Sequence, residues 1–149
     1  MPSSSEPRVH AAHVNELDPT TLYAILRLRA DVFVVEQECA YPDLDGRDLE
    51  PGSLMLWIEI EGQVAAHARL LRDGDDHRIG RVVTDPEHRG AGLAAVVVRD
   101  AVRRAEGHTI RLDAQSHLEG WYERFGFMPD GPEFLEDDIP HVPMVRAAA

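Results

Sequence analysis

The chain has 149 residues, of which 15 are basic and 27 acidic, giving a net charge of −12, and 44% are apolar. That charge excludes general nucleic-acid binding, because only a very local patch could offset repulsion from phosphates. All 15 basic residues are arginines, which excludes lysine Schiff-base and P-loop chemistry, and the single Cys39 excludes an internal disulfide or a cysteine-rich zinc site.

No apolar run approaches the ~18–20 residues of a membrane span. Residues 1–7 are polar, lack the apolar stretch of a secretory signal and read as a short disordered lead. Residues 8–149 are expected to form one domain, and the protein is expected to be cytoplasmic, without nucleic-acid or membrane partners.

Arg8 to Val14 reads as a short first strand. Asp18-Pro19 is a helix start, with Asp as N-cap and Pro at the first helical position, and the helix extends from about Thr20 to Gln37. At about 100° per residue, Leu22, Ile25, Leu26, Leu28, Val32, Phe33 and Val35 form one apolar face, with Arg29 and Glu36 near its middle. Tyr41 to Gly52 is a loop broken by Pro42, Gly46, Pro51 and Gly52. Leu54–Ile60 and Val64–Leu71, joined by Glu61-Gly62-Gln63, form a hairpin. After a turn at Asp73–Asp76 comes a strand over Arg78–Thr84, a loop over Asp85–Arg89, and a helix opened by Gly90-Ala91-Gly92 that reaches Glu106 and ends at Gly107. Thr109–Asp113 is another strand, and Ser116–Phe125 a short helix closed by Gly126. The Pro-rich tail, Phe127 to Arg146, holds two short strands. The order β-α-β-β-β-α-β-α-β implies an α/β or α+β domain with a mixed sheet.

The strongest local signal is R-V-V-T-D-P-E-H-R-G-A-G-L-A, Arg81 to Ala94. A strand runs into a loop, then glycines, then a helix N-terminus, where outward-pointing N–H groups and the helix dipole favour an anion such as pyrophosphate. Gly90 and Gly92 let the backbone approach that anion without a Cβ in the way. Gly90 to Ala95 also fits the dinucleotide-binding pattern G-x-G-x-x-A, with Asp113 as the ribose-holding acid. Against that reading, five residues separate the strand from Gly90 and only 36 follow Asp113.

Arg89 to Ala94 also reads R-x-x-G-x-A, which resembles the acyl-CoA loop of the GNAT superfamily of N-acetyltransferases. Downstream, Q-S-H-L-E-G-W-Y-E-R-F-G-F (Gln115 to Phe127) resembles that superfamily's helix ending in Tyr and then G-F. L-Y-A-I-L-R-L-R-A-D-V-F-V-V-E-Q (from Leu22), D-L-D-G-R-D-L (from Asp43), I-G-R-V (from Ile79) and E-D-D-I-P-H-V-P-M (from Glu136) resemble the ElaA-like branch. The resemblance implies a mixed, mostly antiparallel sheet with splayed central strands flanked by helices, and pantetheine lying in the gap. It implies acetyl-CoA as co-substrate, with Val82, Val83 and Thr84 pairing their backbone with pantetheine. Arg89, Gly90, Ala91, Gly92, Leu93 and Ala94 would hold the pyrophosphate, and Gln115 would stand where many relatives place an Asn. Tyr122 matches the Tyr that protonates the departing thiolate. Arg99, Arg103 and Arg104 either reach the adenosine 3′-phosphate or lie on the surface. The resemblance also brings sheet-edge homodimers, frequent in the superfamily.

Direct acetyl transfer from acetyl-CoA to a primary amine, on a small molecule or peptide, needs no metal: it needs a base, an oxyanion donor and an acid. Val83 N–H is the oxyanion candidate. Glu36 is the first candidate base, since a carboxylate on an apolar face should have a raised pKa. His117 and His141 are the alternatives. Arg29, on the same face as Glu36, either orients the acceptor or pairs with that carboxylate; Arg29, Glu36 and His141 are thus the candidate acceptor-binding residues. Asp43 to Asp48 puts neither ligand position 1 nor 12 of a calcium loop on an acidic residue, so this stretch either lines a cleft that favours a cationic amine or is a solvated loop. The remaining reading is a non-catalytic acyl-CoA-binding regulatory module.

Overall fold

The hairpin segments are near-continuous apolar runs, and the computed structural model, which describes residues 6–148, places them within one eight-stranded sheet with both faces covered. Its strands are β1 (His10–Ala12), β2 (Leu54–Ile60), β3 (Gln63–Asp73), β4 (Asp76–Thr84), β5 (Ile110–Gln115), β6 (Met128–Pro129), β7 (Phe134–Glu136) and β8 (Ile139–Arg146). The spatial order is β1-β2-β3-β4-β5-β8-β6, with β7 also on β8. Every pairing is antiparallel except β4 with β5. Of the expected disordered lead, residues 1–5 lie outside the described residues, while Glu6 pairs with Arg99 at 3.3 Å.

Helix α1 (Pro19–Arg29) starts as its sequence demands: Asp18 accepts the Thr21 N–H at 2.8 Å and Pro19 occupies the first turn. It packs Ile25 against Met55 and Trp57 on one face of the sheet. The helix then widens into π turns over Ala30–Glu36, where Gln37 N–H bonds the Val32 carbonyl and Cys39 N–H the Val34 carbonyl, both at 3.1 Å. On the other face α2 (Leu93–Arg104) buries Val97, Val98 and Ala101 against Leu56, Ala66 and Ile110. The last helix, α3 (Glu119–Glu123), follows a 3₁₀ turn at Ser116–Leu118 and brings Tyr122 to the same core.

Two irregularities shape β4. Its pairing with β5 stops after His77–Ile110 and Arg78–Arg111, so the strands separate beyond Arg78. On its other edge the register slips: His67 pairs with Val83 and Arg69 with Gly80, leaving Arg81 and Val82 opposite Ala68. This is a β-bulge, and Arg81 adopts φ +55° to make it. The bulge breaks the strand's alternation. Ile79 and Val82 face the α2 core, whereas Val83 is buried against Leu28 and Val32 of the α1 side.

The tail holds three strands rather than two, and β8 contains Pro140 and Pro143. Both prolines are tolerated because, on the edge of β8 away from β5, β7 covers only Ile139–His141 and β6 only Met144–Val145, so that edge presents no continuous ladder.

The loop after α1 is held by a buried ion network. Arg29, fully buried, bonds Asp43 at 3.0 Å and Asp48 at 2.8 Å. Arg69 from β3 bonds Asp45 at 2.8 Å, and the bulge's Arg81 reaches Asp43 at 2.8 Å and Asp45 at 3.3 Å. Burial works against Asp45 and Asp48, yet hydrogen bonds from Arg69 and Arg29 outweigh it, so both carboxyls titrate low, Asp45 at about 2. Three cations meet three carboxylates, and removing one partner strands the others in low dielectric. Arg29→Ala is expected to cost about 3–5 kcal/mol in urea unfolding; a cost below about 1 kcal/mol would show that the network is not a structural element.

His67 lies beside this network. Its Nδ1–H donates to the Leu56 carbonyl at 2.9 Å, and its Nε2 is buried without a partner. Burial, then the charge of Arg29, push its pKa down from 6.5 to about 3. The unfolded chain therefore binds a proton that the folded chain refuses between those values, so stability is complete above pH 6.5 and falls as pH falls. The slope contributed is at most about 1.4 kcal/mol per pH unit. Asp45 acts only below its ordinary value of 3.8. His67→Asn, which keeps a donor for Leu56, is expected to flatten the stability profile between pH 6 and 4.5; an unchanged slope there would refute the assignment.

Candidate active site

Beyond Arg78 the edges of β4 and β5 that face each other have no ladder partner, and a cavity of ≈ 220 Å³ opens between them. One side is formed by Phe33, Gln37, Cys39 and Tyr41, from the π turns and the loop that follows. Leu118 and Tyr122 approach from α3, and Ile139 and His141 from β8. Val82 and Gln115 stand on the two separated strands.

Past the end of β4, Gly90 and Gly92 adopt φ +91° and +76°, and Gly92 caps α2. A Cβ built at either would meet nothing within 4 Å, so it is backbone conformation rather than crowding that calls for glycine there. Among the described residues, the N–H groups of Gly90, Ala91 and Gly92 have no backbone acceptor. Those of Leu93, Ala94 and Ala95 belong to the first helical turn and have none inside the helix. Six consecutive donors at a helix N-terminus form an anion cradle.

Tyr122 is 7% exposed and lines the cavity, and among the described residues no protein group bonds its hydroxyl. Burial pushes its pKa up to about 12, so the phenol keeps its proton across the working range. Trp121 packs edge-on against it at 4.9 Å and Phe127 at 6.2 Å, which fixes the ring. His141 is 8% exposed. Its Nδ1–H donates to the Ile139 carbonyl at 2.7 Å, leaving the Nε2 lone pair free. Phe134 stacks on the imidazole with centroids 5.8 Å apart.

Other expected residues fall elsewhere. Glu36 lies outside the cavity, its side chain 43% exposed, and takes both Arg89 terminal nitrogens at 2.6 and 2.8 Å. Those hydrogen bonds hold its carboxyl below the ordinary value, the reverse of the raised pKa expected on an apolar face. The π turns explain the reversal: bonds from i to i+5 advance each residue by less than 100°, so Glu36 swings off the face that a regular helix would give it. Arg29 neither pairs with Glu36 nor reaches an acceptor, because Asp43 and Asp48 engage it in the interior. His117 is exposed and does not line the cavity. Asp43 and Asp48 are buried and Asp45, though exposed, is held by Arg69 and Arg81, so none of the three is free to attract an amine. Arg103 and Arg104 both pair with buried Asp100. Tyr41, Cys39, Arg81, Glu136 and Asp137 also line the cavity, and none was expected at the site. Arg81 opens the R-V-V-T string and Glu136 the E-D-D-I-P-H string, the local signals that pointed near them.

A sheet split after two residue pairs, a bulge beside the split and a glycine cradle at the next helix define the fold class. A family model described as "Acetyltransferase (GNAT) domain" matches residues 29–148. The chain therefore belongs to the GNAT acetyltransferase family, a family of acyl-CoA-dependent acyltransferases. It is similar to the UPF0039 protein Rv2851c of Mycobacterium tuberculosis, 43% identical over 136 residues that cover 88% of this chain and 87% of that one. Among solved structures it is similar to an acyl-CoA N-acyltransferase from Pseudomonas aeruginosa, with TM-score 0.90 and 39% identity over 95% of this chain and 100% of that one. It is similar also to ElaA of Escherichia coli, with TM-score 0.88 and 34% identity over 95% of this chain and 99% of that one. Among the described residues, no helix is long and apolar enough to cross a membrane, and no group of three metal-binding side chains gathers.

The raised pKa of Tyr122 gives a direct check. At pH 10 the ultraviolet difference between the wild type and Tyr122→Phe is expected to show no phenolate signal; a full phenolate signal would mean the hydroxyl is solvated.

Proposed function

We propose that this protein transfers an acetyl group from acetyl-CoA to a primary amine by direct attack within a ternary complex. The observation that carries the reading is the cavity between β4 and β5, lined by Tyr122 and His141, together with the anion cradle at α2, where the chain continues from β4.

In this reading the edge of β4 turned away from β3 along Val82, Val83 and Thr84 bonds the pantetheine amides, as a β5 neighbour would. The Val83 N–H, the expected oxyanion donor, lies instead in the ladder with His67 of β3. The N–H groups of Gly90 to Ala94 hold the pyrophosphate, with the helix dipole adding attraction, while the Arg89 N–H is spent on the Pro86 carbonyl. Gln115 keeps an amide against pantetheine from the opposite strand.

The amine nitrogen attacks the thioester carbon, the C–S bond breaks, the ammonium proton goes to His141 Nε2 and the Tyr122 hydroxyl gives its proton to the leaving thiolate. The products are an amide and free CoA. His141 replaces Glu36 as base on geometric grounds: its free lone pair faces the cavity, whereas Glu36 lies outside it and is engaged by Arg89. Tyr122 suits the acid role because burial keeps its hydroxyl protonated, so it has a proton to place at the sulfur as the C–S bond breaks.

Amine-dependent release of CoA is the test. Tyr122→Phe is expected to lower kcat by about 10²–10⁴ while leaving acetyl-CoA affinity within a small factor. An unchanged kcat would remove Tyr122 from the chemistry. Acetyl-CoA binding with no CoA release across an amine panel would establish a non-catalytic acyl-CoA module instead.

A further inference from the structure

The cavity carries unbalanced charge. Its three arginines are matched: Arg69 by Asp45 and Asp48, Arg81 by Asp43 and Asp45, and Arg78 by Asp73 and Asp113, at 3.4 Å each. Glu136 and Asp137, on the exposed β7–β8 turn at the rim, meet no arginine. The nearest cationisable group is His141, with Nε2 3.9 Å from Glu136 Oε2, beyond hydrogen-bond range. That imidazole is buried, lines the same cavity and offers an unpartnered nitrogen to whatever enters.

The turn is anchored to the opposite wall, where the Cys39 thiol donates to the Asp137 carbonyl at 3.6 Å. Its negative field reaches across: burial, then the charges of Asp137 and Asp138, raise the Cys39 pKa. Asp137 and Asp138 take φ +51° and +65°, a two-residue hairpin turn that Asn-Gly would satisfy with less strain and no charge. The uncompensated negative charge therefore sits at the β7–β8 rim of the cavity, not in the Asp43–Asp48 loop.

We propose that the acceptor amine carries a second positive charge, which Glu136 and Asp137 bind at the cavity rim while His141 receives the proton of the reacting nitrogen. The inference rests on the acetyltransferase reading. The acceptor class is that of diamines, polyamines and amines flanked by a basic group.

Three acceptors of equal reach separate the possibilities: 1-butylamine, 1,4-diaminobutane and 4-aminobutyrate, which end in a methyl, an ammonium and a carboxylate. The diamine is expected to lead butylamine in kcat/KM by about tenfold, with aminobutyrate last, and the lead should shrink in high salt. In the double variant Glu136→Gln, Asp137→Asn the lead is expected to fall toward unity. Asparagine accepts a left-handed turn, so the hairpin is kept. A preference for aminobutyrate, or a lead that survives the double variant, overturns the proposal. A second readout needs no turnover: calorimetric titration of 1,4-diaminobutane into the CoA-saturated protein, expected to be about tenfold weaker in the double variant. Charge-dependent diamine binding without CoA release from any amine would overturn the acetyltransferase reading and support the recognition surface. Turnover without charge preference would do the reverse.

Discussion

An unpaired strand edge inside a sheet is the constraint on which this structure turns. Buried N–H and C=O groups need partners, yet β4 and β5 release each other after two residue pairs. What keeps them apart is visible on both sides. The bulge at Arg81 and Val82 bends β4 toward β3, while β5 spends its other edge on six pairings with β8, Ile110–Arg146 through Gln115–His141. Neither strand can move to close the gap without breaking a ladder on its far side. An extended chain with alternating amide groups is a natural guest for such a slot, and pantetheine has that form.

The buried ions serve the same end. Arg81 is at once the residue in the strained conformation that makes the bulge and the cation that reaches Asp43 and Asp45. Its guanidinium also sits 5.3 Å over the Tyr41 ring, which lines the cavity. Arg29 and Arg69 hold the remaining carboxylates of that loop from α1 and β3. The network thus ties the wall after α1 to the bulge that opens the sheet. A buried pair of this kind adds little net stability over an apolar replacement, but losing one member is costly. Its value here is positional: it fixes one wall of the cavity relative to β4.

Much of this was legible in the sequence. The Asp18 cap, the two apolar runs joined at Glu61-Gly62-Gln63 and the glycines before α2 each depend on neighbours within a few residues, and each lies where its local chemistry puts it. The misplaced parts depend on distance or on irregular geometry. Projecting Glu36 at 100° per residue assumes a regular helix, and the i to i+5 turns of Ala30–Glu36 break that assumption. Arg29 reads as an anomaly on an apolar face until Asp43 and Asp48, 14 and 19 residues onward, are folded against it. The two prolines of β8 argue locally against a strand, and only the interrupted coverage by β6 and β7 makes room for them.

The central claim is that the opened strands and the α2 cradle together form a slot for an acyl-CoA. The most direct measurement is a calorimetric titration of the purified, folded protein with acetyl-CoA, with NADH in parallel because the glycine loop also fits a dinucleotide pattern. The account predicts one-to-one binding of acetyl-CoA at micromolar affinity and none of NADH. Absence of acetyl-CoA binding, or binding of NADH in its place, would contradict it.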